Sequence, residues 1–312
     1  MKVAVCIITY KRPEGLKRLL HGLNGLSFEE RVAPLLSVVV VDNDAAGTAA
    51  VVCEDVRGWF KWPLKYYVEP RRGISQARNR AVACAVALGA DFMAFVDDDE
   101  VPEPLWLDKL LSVQQEYAAD VVGGPVLPYF YEPVPEWVVK GRFFEQSFER
   151  PRYPTGHLLE LTAAGNVLVK TSMFDEMGGR FDEELGLTGG EDTLLFARAH
   201  EAGYKLVWAD EAVAYEWTPA SRANARWLLR RAFRLGNSRS VYENRANAGS
   251  AALVVRIAKG CGRVVQGLLL FLPSLPLSLV VGRQSMMKAL VLVFRGAGML
   301  AGVARIRFEE YR

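Results

Sequence analysis

Histidine is scarce in this chain. The three copies, His21, His157 and His200, show no spacing that would let them share a metal ion. Cysteine is almost as rare. Cys6, Cys53, Cys84 and Cys261 form no Cys-x-x-Cys pair, and each sits in apolar sequence. That argues against a disulfide framework or a thiolate metal centre and for reduced core residues of a cytosolic protein. The N-terminus does not read as a signal peptide, because Val3–Ile8 is too short and Lys11, Arg12 and Pro13 follow at once. There is no internal repeat and no low-complexity tract. Acid is nearly missing from the C-terminal part. Residues 222–312 hold 3 Asp and Glu against 16 Lys and Arg, a net of +13. Residues 1–221 hold 33 against 22, a net of −11, so the overall +2 conceals a split. A basic tail rich in Leu and Val suits a membrane surface. Nucleic acid is the rival partner, but the long apolar runs argue against it.

The 312 residues are 51% hydrophobic and can bury one large domain, or a domain with an appendage. Short apolar runs alternate with helical patterns. Val3–Ile8, Ser37–Val41, Leu64–Val68, Phe92–Val96, Val121–Gly124 and Lys205–Ala209 read as strands, and the pattern resumes over Leu158–Lys170 after the proline-rich connection Pro128–Pro154. Helices are expected from Pro13, over Ala49–Val56, Ser75–Leu88 and Leu105–Tyr117, and from Glu191 to Ala202. Such alternation predicts an α/β fold, a parallel or mixed sheet flanked by helices, with ligands beyond the carboxyl ends of the strands.

At one such end stands Asp97-Asp98-Asp99-Glu100. Adjacent carboxylates repel one another, and a hard divalent cation bridging to substrate phosphates is one reason to gather them. A solvated acidic turn is the plainer alternative. Asp42 and Asp44 follow the second strand on the same rim, where Asp44 could equally cap the next helix. Glu191 and Asp192 open a helix after Gly189-Gly190, glycines that favour close backbone approach to a ligand. Arg222, Arg226, Arg230 and Arg234 recur every four residues, on one helix face suited to phosphate. The uncharged run 264–282 borders on a membrane span, but Pro273 and Pro276 point to a helical hairpin broken there. A second run, Met286–Ala304, carries Arg295 at its centre. Monotopic or re-entrant association is favoured, with an oligomerisation hairpin as the alternative.

Six ordered motifs carry a resemblance. Thr9-Tyr10-Lys-Arg-Pro13, Asp42-Asn-Asp44, Arg72-Gly73 to Ala77-Arg78-Asn79, Asp97-Asp98-Asp99, and Ala164-Gly165-Asn166 with Gly190-Glu191-Asp192 resemble the family 2 glycosyltransferases, nucleotide-sugar enzymes of GT-A fold. The combination of Asp97-Asp98-Asp99-Glu100, Tyr215-Glu216 and the Arg226-Trp227 to Arg234-Leu-Gly-Asn-Ser238 segment looks most like the bacterial exopolysaccharide subgroup that includes succinoglycan glucosyltransferases. The charge split, the apolar runs and the end of the motifs near Gly236 point to a catalytic domain over 1–221, an Arg-rich helical segment over 222–250 and an apolar, membrane-associating tail over 251–312. The resemblance implies transfer, with inversion, from a nucleotide diphosphate sugar to a lipid-linked saccharide at the inner leaflet of the cytoplasmic membrane. Transfer to polyprenyl phosphate, or a non-catalytic membrane scaffold, are the alternatives. By resemblance Asp99 binds Mn²⁺ or Mg²⁺, and Asp97 or Asp98 holds the ribose or a metal-bound water. Asp42 would read the base edge, with Thr9 and Tyr10 lining that pocket. Arg78, in a helix, would meet the diphosphate or be a surface charge, Asp192 would act as base, and Glu191 would touch the acceptor or hold Asp192. Where many relatives place a His, this chain has Glu216, a possible further ligand.

Overall fold

A computed structural model of the chain describes residues 1–144, 153–246, 249–306 and 308. In chain order the elements are β1 (Lys2–Thr9), α1 (Pro13–Asn24), β2 (Leu35–Asp42), α2 (Ala50–Val56), β3 (Leu64–Val68), α3 (Ile74–Ala87), β4 (Phe92–Val96), β5 (Glu100–Pro102), α4 (Trp106–Tyr117), β6 (Val121–Gly123) and β7 (Val126–Phe130). There follow α5 (Glu136–Gly141), β8 (Asn166–Lys170), α6 (Ser172–Glu176), α7 (Glu191–Glu201), β9 (Leu206–Trp208), β10 (Ala214–Thr218), α8 (Ala225–Ala246), α9 (Ser250–Val281) and α10 (Gln284–Val303).

Among the described residues one sheet of seven strands runs β3-β2-β1-β4-β8-β6-β9. β8 alone opposes its neighbours, antiparallel to both β4 and β6. The sequence period explains why helices cover both faces. Val3, Val5 and Ile7 share one core with Leu16, Leu19 and Leu20 of α1. The alternate residues Ala4 and Cys6 share the other with Ala77 and Ala81 of α3. Side chains two apart lie on one face of a strand, so an unbroken apolar run feeds two cores.

Contacts divide the chain into two compact units. The first is Met1–Tyr129, Arg150–Leu187 and Glu191–Trp217; the second is Phe130–Glu149, Thr188–Gly190 and Thr218–Arg312. The Arg-rich segment and the apolar tail, read above as separate, therefore fall in one unit. The proline-rich connection holds the end of β7 and helix α5; its residues 145–152 lie outside the described ones. Within the second unit, Met287 and Val291 of α10 pack with Leu228 and Ala232 of α8. The helix backbones approach closely: a Cβ added at Gly298 would fall on the carbonyl of Phe233.

The tail differs from expectation. α9 runs without a break through Pro273 and Pro276, and the chain reverses at Gly282, with φ 100°. Each proline removes one N–H from the helical ladder. The hydroxyls of Ser274 and Ser278 donate to the carbonyls of Phe271 and Leu275, adding local bonds around the gap. Cys261 also departs from the reading, being exposed while Cys6, Cys53 and Cys84 are buried.

Candidate active site

The acid run sits where the sequence placed it, between β4 and β5. The Glu100 N–H donates to the carbonyl of Asp97, closing a tight turn, and the Asp97 N–H donates back to Glu100 Oε2 at 3.1 Å. β5 pairs with β10 so that Glu216 lies opposite Glu100. Glu216 thus belongs to a strand beside the cluster. Burial raises the Glu100 carboxyl well above its ordinary range, and the charges of Asp97, Asp99 and Glu216 add to this. Asp98 is pushed up to about 6 by burial, against the pull of Arg12. Asp97 is raised by burial as well.

Two arginines hold this charge. Arg12 Nη1 donates to Asp98 Oδ1 at 3.0 Å and Asp99 Oδ2 at 2.9 Å, and Thr9 Oγ1 donates to Asp98 Oδ2 at 2.7 Å. Arg78 is buried. It donates to Asp97 Oδ1 at 3.2 Å and forms a close ion pair with Glu191 at the start of α7. Burial lifts the Glu191 carboxyl to about 7, with Arg78 opposing. The next residue, Asp192, is half-buried. Its Oδ2 accepts the Ala164 N–H at 3.1 Å and its Oδ1 the Thr193 N–H at 2.7 Å. Arg78 therefore ties the end of β4 to the helix that carries Asp192. Gly165 fits between these parts: a Cβ there would lie 2.6 Å from Glu100 Oε1 and 3.4 Å from Asp97 Oδ2. Asn166 fixes the same segment through bonds to the carbonyls of Pro125 and Ala212 and from the Trp106 indole.

A family model described as Glycosyl transferase family 2 matches residues 4–178. The succinoglycan biosynthesis protein ExoM of Rhizobium meliloti is 33% identical over 240 residues, 76% of this chain and 74% of that protein. The chain belongs to glycosyltransferase family 2. A glucosyl-dolichyl phosphate glucuronosyltransferase of Haloferax volcanii is 27% identical over 264 residues, 78% of each chain. Among solved structures, a mannosyltransferase of Pyrobaculum calidifontis, in complex with GDP-Man and Mn²⁺, has a TM-score of 0.62 at 16% identity, covering 96% of this chain and 86% of that one. S. aureus TarS 1-349 in complex with UDP-GlcNAc has a TM-score of 0.55 at 18% identity, covering 100% of this chain and 93% of that one. These likenesses speak to the fold, which is GT-A.

The structure gives the family-motif residues the following partners. Asp42 is fully buried, and its oxygens accept from the Asp44 and Ala49 N–H groups and from the Tyr66 hydroxyl, fastening the turn into α2. Asp44 does similar local work, accepting from Thr48 Oγ1 at 3.0 Å. Arg78 is an internal tie, with 3% of its side chain exposed, where a diphosphate ligand was expected. Glu191 is its buried partner at the start of α7, in keeping with the alternative that it holds Asp192 in place. Gly189 and Gly190 have φ of 75° and 92°, so the turn before α7 needs glycine for its own backbone.

Tyr10 remains on the rim, its ring 4.9 Å from the Arg72 guanidinium. Asn43 braces the neighbouring loop by donating to the carbonyls of Glu69 and Arg71 and accepting from the Gly73 N–H. In the second unit, Arg222 lies in a turn ahead of α8, its guanidinium 5.9 Å from the Trp227 ring, so the expected row of four begins inside the helix only at Arg226. Arg226 and Arg230 are exposed and Arg234 is half-exposed. Arg12 was missed by sequence reading. Its signal was position: it stands just after the end of β1, on the rim that carries the acids.

The donor set suits a hard divalent cation, being all carboxylate and already drawing a guanidinium. Among the described residues no three acids, histidines or cysteines gather closely enough to hold an ion alone. A small hard cation commonly takes one or two carboxylates and completes its shell with substrate phosphate and water.

Proposed function

We propose that this family 2 enzyme moves a sugar, with inversion, from a nucleotide diphosphate sugar, a UDP-sugar in the first instance, to a lipid-linked saccharide during surface polysaccharide synthesis. The observation that carries the reading is the Arg78 tie, which sets a carboxylate cluster and the Asp192 carboxylate into one framework. Asp99 and Glu216 would hold Mn²⁺ or Mg²⁺, with Asp97 and Asp98 beside the ribose and the metal-bound water. A bound ion of this kind would offset the charge that gathers on the departing diphosphate. Asp192 accepts the proton of the acceptor hydroxyl as its oxygen bonds to the anomeric carbon; the bond from that carbon to the diphosphate oxygen breaks, and its electron pair leaves with the nucleotide diphosphate. The Ala164 and Thr193 N–H groups keep that carboxylate aimed.

The acceptor reading draws on the relatives. One is named for succinoglycan biosynthesis and another for action on a glucosyl-dolichyl phosphate, a lipid-linked sugar. The second name also favours an acceptor joined through a single phosphate, and assays on polyprenyl phosphate with and without a first sugar separate the two. Membrane association is supported by α9 and α10, each long and apolar enough to cross a bilayer by length and composition. Val254, Leu268, Leu269 and Leu272 on α9 are exposed, and the basic charge of the C-terminal part favours the cytoplasmic leaflet, where it meets anionic lipid.

A thermal-shift screen of UDP- and GDP-sugars with Mn²⁺ tests the donor, since a ligand that binds the folded state raises the melting point. Asp192→Asn should bind the donor normally and lose transfer by about a hundredfold or more. Transfer near wild type would place the base elsewhere.

A further inference from the structure

We propose that Asn43 is a positioning residue for the donor nucleotide, its side-chain amide setting the loop 69–73 so that the Arg72 guanidinium stands beside Tyr10 to meet the donor diphosphate. This rests on the reading of the donor as a nucleotide diphosphate sugar and adds which side chain orders its site. Asn43 follows the last residue of β2 and is 8% exposed. Its Nδ2 donates to the carbonyl of Glu69 at 2.9 Å and to that of Arg71 at 2.8 Å. Its Oδ1 accepts the Gly73 N–H at 2.8 Å. One amide thus fixes the start, the middle and the end of the loop that leads from β3 into α3. A carboxylate in its place would donate nothing, and a hydroxyl would donate once. Gly73 is held at φ 144°, which a residue with a side chain rarely adopts, so the exit of the loop is set as well.

The loop carries two arginines in different surroundings. Arg71 is bound to acids. Its Nε lies 3.0 Å from Glu69 Oε1, and its Nη1 lies 3.1 Å from Glu183 Oε2. Arg72 has its guanidinium 4.9 Å from the Tyr10 ring, and Lys11 Nζ lies 5.2 Å from the same ring. Two cations against one ring make a positive rim just beyond the carboxyl end of β1, on the side of the sheet where such folds bind their ligands.

Arg72 is exposed, and its planar fork offers a diphosphate a bidentate partner. A long exposed side chain on a loose loop would lose much freedom on binding. A loop already fixed by Asn43 has less left to lose, and the difference appears as affinity. Asn43 therefore touches no ligand itself and acts through Arg72.

Calorimetric titration of full-length protein with UDP in Mn²⁺ buffer reads the site without turnover. Arg72→Gln should weaken UDP about tenfold, the loss of one charge-assisted contact. UDP bound by Arg72→Gln as tightly as by wild type overturns the proposal. Asn43→Asp keeps the size and the acceptor but loses both donors, and should also weaken UDP about tenfold. The two changes combined decide the matter. If Asn43 acts through Arg72, the double variant binds about tenfold less tightly than wild type; independent effects multiply to about a hundredfold and overturn the proposal. A lowered melting temperature with unchanged UDP affinity in Asn43→Asp marks a purely structural residue and overturns it too. Should Asn43→Asp not fold, Asn43→Ser takes its place with the same expectations. Wild type that binds neither UDP nor GDP defeats the donor reading itself, whereas wild type that binds UDP, with an Asn43 variant that binds it equally, defeats only the positioning role.

Discussion

Arg78 shows what a single side chain does here. It is buried between two carboxylates that lie 19 and 113 residues away in sequence. Removing one partner of a buried pair leaves an uncompensated charge, at a cost of about 3–5 kcal/mol. Arg78→Met should lower unfolding stability in urea by that order. Arg57→Ala, at an exposed pair with Glu54, should cost less than about 1 kcal/mol. Local chemistry was legible in the sequence: adjacent aspartates at a strand end, and a carboxylate at a helix start, announce themselves within a few residues. What an isolated charge faces was not. Asp42 was read as a ligand from its place after a strand and from the resemblance, and Arg12 was given no role. Their partners come from Tyr66 and from the acid run, and only the fold brings those together.

At the scale of elements, strands were read well because they are buried on both faces and so are nearly pure apolar runs. The reversal of β8 left no such mark, since an apolar run looks the same in either direction. β5 escaped notice, being three residues long, Glu-Val-Pro, with a proline that argues against a strand. The prolines of α9 were overweighted as breaks. Gly165 displays how elements fit around the site. It leads into β8, and its missing side chain leaves room for the acids between β4 and β5. Gly165→Ala should press on Glu100, cost about 1–3 kcal/mol and weaken Mn²⁺-dependent nucleotide binding. Gly58→Ala is the control, because an added Cβ there meets nothing within 4 Å. Scanning fluorimetry with and without UDP and Mn²⁺ reads both effects.

For the whole molecule, the charge split and the apolar helices raise one question: what covers α9. Leu268, Leu269 and Leu272 are 53%, 68% and 69% exposed. Burying a leucine side chain is worth about 1.5–3 kcal/mol, and each basic residue near an anionic surface adds about 1 kcal/mol. Full-length protein should therefore float with anionic liposomes at low salt. The triple variant Leu268→Asn, Leu269→Asn, Leu272→Asn should stay at the bottom of the gradient while keeping its nucleotide affinity. Wild type remaining at the bottom would make this face a protein contact. Domain-scale charge was legible in the sequence because it needs only counting. The grouping of α8 with α9 and α10 was not, because it rests on backbones meeting at glycines.

The place of β8 in the sheet has a consequence for synthesis. β8 lies between β4 and β6, yet it follows both in the chain, and β6 ends at Gly123 while β8 begins at Asn166. Until Asn166 leaves the ribosome, the facing edges of β4 and β6 have no strand to join them. At roughly 5–20 residues per second that interval lasts some seconds. Unpaired strand edges recruit other strands. The nascent protein thus carries unpaired edges late in the making of its catalytic sheet, and a chaperone covering them in that window would limit misassociation.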